Sequence, residues 1–316
     1  MNILSSAPTR IDLAGGTLDL WPLHLFFRNP PTLNAAIDLY ATVQIRTRPG
    51  RSILVESKDR GLRARFPSLT ALPEQHPLQL ILRLIRFYRP RGGLEVVTHC
   101  QAPAGSGIGG SSALNIALNG ALNRLTGNRY PRRTLVEIAK NIETQVIDAP
   151  AGVQDYYSAL NGGVQSIRPD YDGIHPASLP VDPKVLNSRF VLCYTGEPRA
   201  SGINNWQVYK EVIDGSPAVR RHLGRIAAVA RQMEKKLAQG TLTGFTGDFD
   251  AEWRARRKLA PGICTPAMER LIAAARRAGV RTRRAPGRGT HRRSPLWIGR
   301  NAPPHGGAPA VTSPRG

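Results

Sequence analysis

Pro103-Ala104-Gly105-Ser106-Gly107-Ile108-Gly109-Gly110-Ser111-Ser112-Ala113-Leu114 decides how this 316-residue chain is read, because four glycines and a serine pair lead into an apolar run patterned as a helix. Glycine lets a backbone turn tightly and approach an anion closely, and the free N–H groups at a helix start favour negative charge. The stretch is therefore expected to cradle a phosphate. Leu94 to Thr98 reads as the strand leading to it. Ala113, Ile116, Ala117, Gly120, Ala121 and Leu125 form the buried stripe of the helix after it, with a stop near Gly127.

Two familiar loops fit poorly. The spacing Gly105-x-Gly107-x-x-Gly110 matches the dinucleotide fingerprint, yet that motif needs an acidic residue roughly 20 positions on, and the first carboxylate after Ser111 is Glu137. A Walker loop ends in Gly-Lys-Ser/Thr so that lysine reaches the outer phosphates, whereas Gly110 is followed directly by Ser111. A plain strand-to-helix turn leaves the serine pair unexplained.

The stretch closely resembles the phosphate loop of the GHMP kinases. Two further segments agree: Ala7-Pro8-Thr9-Arg10-Ile11-Asp12-Leu13-Ala14-Gly15-Gly16-Thr17-Leu18-Asp19-Leu20 resembles the family's first motif in its heptose-kinase and fucokinase-like form, and Asp148-Ala149-Pro150-Ala151-Gly152-Val153-Gln154-Asp155-Tyr156-Tyr157 resembles the segment that supplies a catalytic aspartate. Tyr194-Thr195-Gly196-Glu197-Pro198-Arg199 and Leu259-Ala260-Pro261-Gly262 extend the likeness to about residue 280. The resemblance implies an α+β, two-domain GHMP kinase fold: a ribosomal protein S5 domain 2-like N-terminal domain over residues 1–168 and a ferredoxin-like C-terminal domain over 169–280.

Composition suits a globular enzyme. At 41% hydrophobic residues the chain can build two cores. No apolar run approaches the ~18 residues of a membrane span, and the N-terminus lacks a basic segment followed by an apolar one, so a cytoplasmic location without membrane contact is expected. Cys100, Cys193 and Cys264 follow no disulfide or zinc spacing and read as buried apolar thiols.

The formal net charge of +22 is uneven: residues 281–316 hold eight arginines, six prolines and six glycines with no lysine or carboxylate. Such a composition is expected to be disordered. It can also hold nucleic acid through phosphate contacts, but with Trp297 alone it lacks a stacking platform, which makes nucleic-acid binding the lesser reading. Arg281-Thr282-Arg283-Arg284-Ala285-Pro286-Gly287-Arg288-Gly289 stands where the resemblance implies a third, Gly-Ala-Gly-rich motif. Gly/Ala codons of a GC-rich gene, read one base out of register, yield Arg, Pro, Gly and Ala. The hypothesis is a frameshift after about Val280, an incomplete C-terminal domain and, as an alternative function, a catalytically impaired kinase-like protein. Translating the other two frames tests it; the idea fails if neither restores a Gly-rich loop followed by an apolar strand.

The resemblance implies transfer of the γ-phosphoryl group of ATP, with Mg²⁺, to a small-molecule hydroxyl, the first motif favouring a heptose 7-phosphate-type acceptor. Pro103, Gly105, Ser106, Gly107, Ile108, Gly109, Gly110, Ser111 and Ser112 would hold the nucleotide. Ser112 and Glu143 would hold the metal, and hard oxygens suit it. Asp155 would accept or orient the acceptor's proton, with Arg10 beside it to balance charge. Thr17 and Asp19, after the Gly-Gly turn, are the sugar contacts, and Arg199 the contact for an acceptor phosphate. Asp12, in an alternating strand, reads as solvent-facing, and the alternative for Glu143 is an exposed helix position.

Overall fold

The structure is a computed structural model that describes residues 1–196, 201–278 and 296–299, with backbone alone for 201–204 and 296–299. The chain opens with β1 (Asn2–Ala14), a short α1 (Leu23–Phe26), the long β2 (Thr32–Arg48), and the pair β3 (Ile53–Ser57) and β4 (Leu62–Phe66). Then come α2 (Gln79–Tyr88), β5 (Gly93–Cys100), α3 (Gly110–Leu125), α4 (Arg132–Ile147), α5 (Gln154–Asn161), β6 (Val164–Asp170) and β7 (Gly173–Ser178). The remainder is helical apart from two short strands: α6 (Pro183–Asn187), β8 (Phe190–Cys193), α7 (Ser201–Ile213), α8 (Pro217–Ala238), α9 (Phe245–Arg256), α10 (Pro266–Arg277) and β9 (Leu296–Gly299).

Seven strands form one sheet in the order β4-β3-β5-β2-β6-β7, with β1 paired to β2. β2 is its spine. Its second half, with Ala41, Val43 and Ile45 buried in alternation, pairs antiparallel with β5, and Thr32 to Ala35 pair with β6. Helices α2, α3 and α4 bury Leu82, Ile85, Leu118, Leu122 and Ala139 against this sheet. The apolar stripe of α3 runs through Ala113, Ile116, Ala117 and Ala121, all buried.

β1 serves two cores. Ile3 and Ala7 lie in the first, and after a register shift between Pro8 and Thr9, Ile11 and Leu13 pack with Ala230, Met233 and Leu237 of α8. Leu18, Leu20 and Leu23 then enter a third cluster with Leu223, Ile226 and Ala255. The turn between β1 and α1 is thus gripped by the C-terminal helices, which places Thr17 and Asp19 where the two halves meet.

Pro217 and Pro266 occupy first helical positions, where a missing N–H costs nothing, and the Thr265 hydroxyl caps α10 by accepting from Met268 N at 3.3 Å. The expected division at residue 168 falls within β6, and β7 extends the same sheet to Ser178. Cysteine burial needs correction: Cys100 is buried, but Cys193 and Cys264 sit at chain segments only partly covered. Arg199, the Arg281–Gly289 stretch and the frameshift reading lie outside the described residues; within the tail, only 296–299 are described, as a strand pairing parallel with β8. Among the described residues, no helix is long and apolar enough to cross a membrane.

Candidate active site

The glycine-rich stretch is the β5-to-α3 connection, and its conformation explains its composition. Gly105, Gly107 and Gly109 have φ of 73°, 72° and 75°, the left-handed region in which a side chain is strained. Gly109 is the N-cap of α3. A Cβ there would lie 3.4 Å from the Asp155 carboxyl group, so the loop passes directly beside that residue. The first turn of α3 aims its N–H groups and dipole at the loop's concave side, the arrangement that holds anions.

The predicted loop residues divide by position. Pro103, Gly105, Ser106, Gly107, Gly109, Gly110, Ser111 and Ser112 line one cavity of about 770 Å³. Ile108 does not: its side chain is fully buried in the main core, and its carbonyl accepts from Arg10 N at 3.0 Å. It anchors the loop to β1.

Arg10 ties the loop to the segment that carries Asp155. Its Nη1 donates to the Gly107 carbonyl at 3.0 Å and its Nε to Asp155 Oδ1 at 2.7 Å, while Nη2 pairs with the same carboxylate oxygen. Asp155 stands in the first turn of α5, where a negative charge faces the positive end of the helix dipole. The predicted pair therefore forms across 145 residues of chain.

Glu143 is buried, which overturns the exposed alternative. Its Oε1 accepts from Ser111 Oγ at 2.6 Å, and its Oε2 from Ser112 Oγ at 3.1 Å, Tyr156 Oη at 2.8 Å and Asn115 Nδ2 at 3.4 Å. Burial raises its pKa, and the hydrogen bonds from Ser111 and Tyr156 oppose the rise. A carboxylate and a serine hydroxyl beside the phosphate loop fit a hard cation held mainly by phosphates and water; Mg²⁺ is commonly bound through one or two carboxylates only. Among the described residues, no group of three or more His, Cys, Asp or Glu is placed to hold a metal, so the nucleotide would supply the remaining ligands.

Beyond Asp155 the cavity is lined by Asp12, Thr17, Asp19, Gln154, Asn205, Trp206, Trp253 and Arg256. Asp12 is buried, not solvent-facing, and lies 3.7 Å from Arg256 Nη2. Thr17 Oγ1 donates to Asn205 Oδ1 at 3.3 Å. Asp19 points its Oδ2 at the start of α5, accepting from Val153 N at 2.6 Å and Gln154 N at 2.9 Å. Asp19 thereby fixes the helix that carries Asp155. Sequence reading missed Gln154, Asn205, Trp206, Trp253 and Arg256 as wall residues; only Gln154 lies within a recognised motif.

Burial dominates the pKa of Asp19, raising it from 3.8 to about 6, with the neighbouring Asp155 charge adding to the rise and the two backbone N–H bonds opposing it. A carboxyl group whose folded pKa exceeds its unfolded one favours the folded state below the unfolded value and loses that contribution as pH rises through the folded value. Wild type should therefore lose stability relative to Asp19→Asn between pH 4 and pH 7. A shift of about two units corresponds to roughly 3 kcal/mol. Urea unfolding of both chains across that range measures it, and a constant difference would refute the prediction.

A glycine-rich loop of the kind that suits anions thus lies beside a carboxylate, and both open on one cavity with polar and apolar walls. Residues 77–163 match the family model described as GHMP kinases N terminal domain. The chain carries that domain within the mixed α/β fold of the GHMP kinases. It is 25% identical to mevalonate kinase of Thermococcus sibiricus over 312 aligned positions, covering 89% of this chain and 84% of the relative. It is 24% identical over 282 positions to D-glycero-alpha-D-manno-heptose 7-phosphate kinase of Campylobacter jejuni, covering 85% and 81%. The solved structure of Lactococcus lactis galactokinase complexed with galactose superposes with a TM-score of 0.69 at 17% identity, covering 87% of this chain and 80% of that one.

Proposed function

We propose that this chain transfers the γ-phosphoryl group of ATP to a hydroxyl of a sugar or sugar phosphate, with a heptose 7-phosphate-type acceptor favoured. The observation that carries the reading is the junction at Gly109, where the phosphate loop touches Asp155 and Asp155 is held by Arg10. Phosphoryl transfer asks the protein mainly for positioning and charge stabilisation. Leu78, Leu80, Ile81, Leu114 and Ile147 give the cavity an apolar end for the base. The loop and the first turn of α3 hold the phosphates. Ser112 and Glu143 would hold Mg²⁺, which when bound neutralises charge developing on the transferred group.

Asp155 orients the acceptor hydroxyl and takes its proton as that oxygen attacks the γ-phosphorus and the bond to the β–γ bridging oxygen breaks, releasing ADP, while Arg10 offsets the negative charge gathered there. The hydroxyl and amide groups of Thr17, Gln154 and Asn205 give the acceptor end polar partners suited to several sugar hydroxyls. Arg10 and Arg256 at that end are both engaged by carboxylates; Arg199, in the Gly-Glu-Pro-Arg segment, is the contact proposed for an acceptor phosphate.

ATP-dependent ADP release over heptose phosphates, fucose, galactose and mevalonate tests the reading, with Asp155→Asn as control. Preference for a heptose phosphate is expected. Turnover of mevalonate in preference to every sugar would replace the sugar assignment. Arg199→Ala should raise the KM for a sugar phosphate by about tenfold and that for a free sugar by less than about twofold, the loss of one charge-assisted contact. Equal effects on both would remove Arg199 from that role.

A further inference from the structure

We propose that Arg256, at the end of α9, is a positioning residue that clamps the Gly15–Thr17 turn and so shapes the acceptor end of the site; this rests on reading that chamber as the acceptor site. Arg256 is only 8% exposed. Its Nε donates to Glu252 Oε1 at 2.7 Å, with Nη2 donating to the same oxygen. Nη2 also donates to the Gly16 carbonyl at 3.2 Å and lies 3.7 Å from Asp12 Oδ2. One guanidinium thus joins α9, the end of β1 and the turn after it.

The turn needs such a hold. Thr17 has φ of 78°, a conformation that β-branched residues adopt only under constraint. Hydrogen bonds from Leu18 N to Gly15 O at 3.1 Å and from Leu20 N to Thr17 O at 3.2 Å close the turn from within. From outside, the Asp12 carboxylate fills the space beside Gly16, where a Cβ would lie 2.1 Å from Oδ2. Arg256 faces both the carboxylate and the carbonyl of that contact. Apolar packing alone would suffice to dock the helices here, since Leu18 and Leu20 already lie among Leu223 and Ile226. A buried arginine adds a desolvation cost that apolar docking avoids, and it brings fixed direction in return. The directed contact falls on the residue before Thr17, whose hydroxyl lines the chamber. Lysine keeps the charge but lacks the planar fork that reaches several acceptors at once.

Hydrogen exchange and kinetics on the full chain test the clamp together. In Arg256→Lys, amides of residues 15–20 should exchange at least about tenfold faster than in wild type, while those of 110–125 stay unchanged. With heptose 7-phosphate as the acceptor, its KM should rise about tenfold or more, and the KM for ATP should stay within about twofold. The double variant Arg256→Met/Glu252→Leu removes the Arg256–Glu252 pair as a unit and keeps Asp12; it should show the same pattern, and a thermal melt of each variant separates loss of the clamp from a folding failure. Unchanged exchange over 15–20 in both variants, or an acceptor KM that stays put or rises in step with that for ATP, overturns the proposal. Wild-type chain inactive on every acceptor defeats the functional reading instead, and the exchange experiment then decides the clamp by itself.

Discussion

Asp155→Asn is expected to lower kcat by about 10³-fold while leaving the KM for ATP within about twofold, because the substitution removes the proton acceptor and little else. The Oδ1 atom that receives the Arg10 Nε bond at 2.7 Å survives as an amide oxygen, so the link between β1 and α5 is retained in weaker form. Asp155 is partly exposed, with 24% of its side chain accessible, but Arg10 is buried; with the amide oxygen still accepting from Arg10, the lost charge pairing costs about 1–2 kcal/mol. That shifts the melting midpoint by a few degrees at most. Stopped-flow or coupled ADP release, with a thermal melt of each chain, separates chemistry from folding. A loss of turnover matched by a large fall in melting temperature would show that Asp155 holds the structure instead of acting on the acceptor.

The second large effect is expected at Glu143. Glu143→Gln should reduce kcat by about 10²-fold and raise the Mg²⁺ concentration for half-maximal activity by about tenfold, since a neutral amide is a far poorer ligand for a hard cation. The change is nearly isosteric, and the hydroxyls of Ser111, Ser112 and Tyr156 can rotate to meet either end of the amide. Because burial already raises the carboxyl pKa, neutralising it removes a desolvation cost, and the folded state should be no less stable than wild type. Activity titrated against Mg²⁺ at saturating nucleotide is the decisive measurement. A fall in kcat with the Mg²⁺ midpoint unmoved would make Glu143 a support for Ser111 and Tyr156 and take it out of the metal site.

These two residues also show how far the sequence could be read. The Arg10–Asp155 pair spans 145 residues and emerged only from a resemblance between motifs, because periodicity carries no signal for a contact that distant. Glu143 was legible in part: it follows Ala139 by four positions and so shares the buried face of α4 with Val136 and Ala139, although a carboxylate there reads as solvated until the donors around it are seen. Asp12 was misread, since alternation along β1 predicts two faces and says nothing of α9 lying over one of them. Arg256 gave no signal at all. Glu252 and Arg256 stand four apart in a basic stretch, the ordinary spacing of a surface ion pair.

The sequence by itself determined the glycine-rich loop and the apolar helix that follows it, because glycine conformation and apolar period are local properties of the backbone. Only the tertiary structure decided which charges are buried and what they hold. Asp19 grips the start of α5, Glu143 gathers four donors, and Arg256 reaches the Gly16 carbonyl from a distant helix. The environment of a charged side chain is set by whichever elements cover it, and that depends on packing between segments from 13 to 240 residues apart.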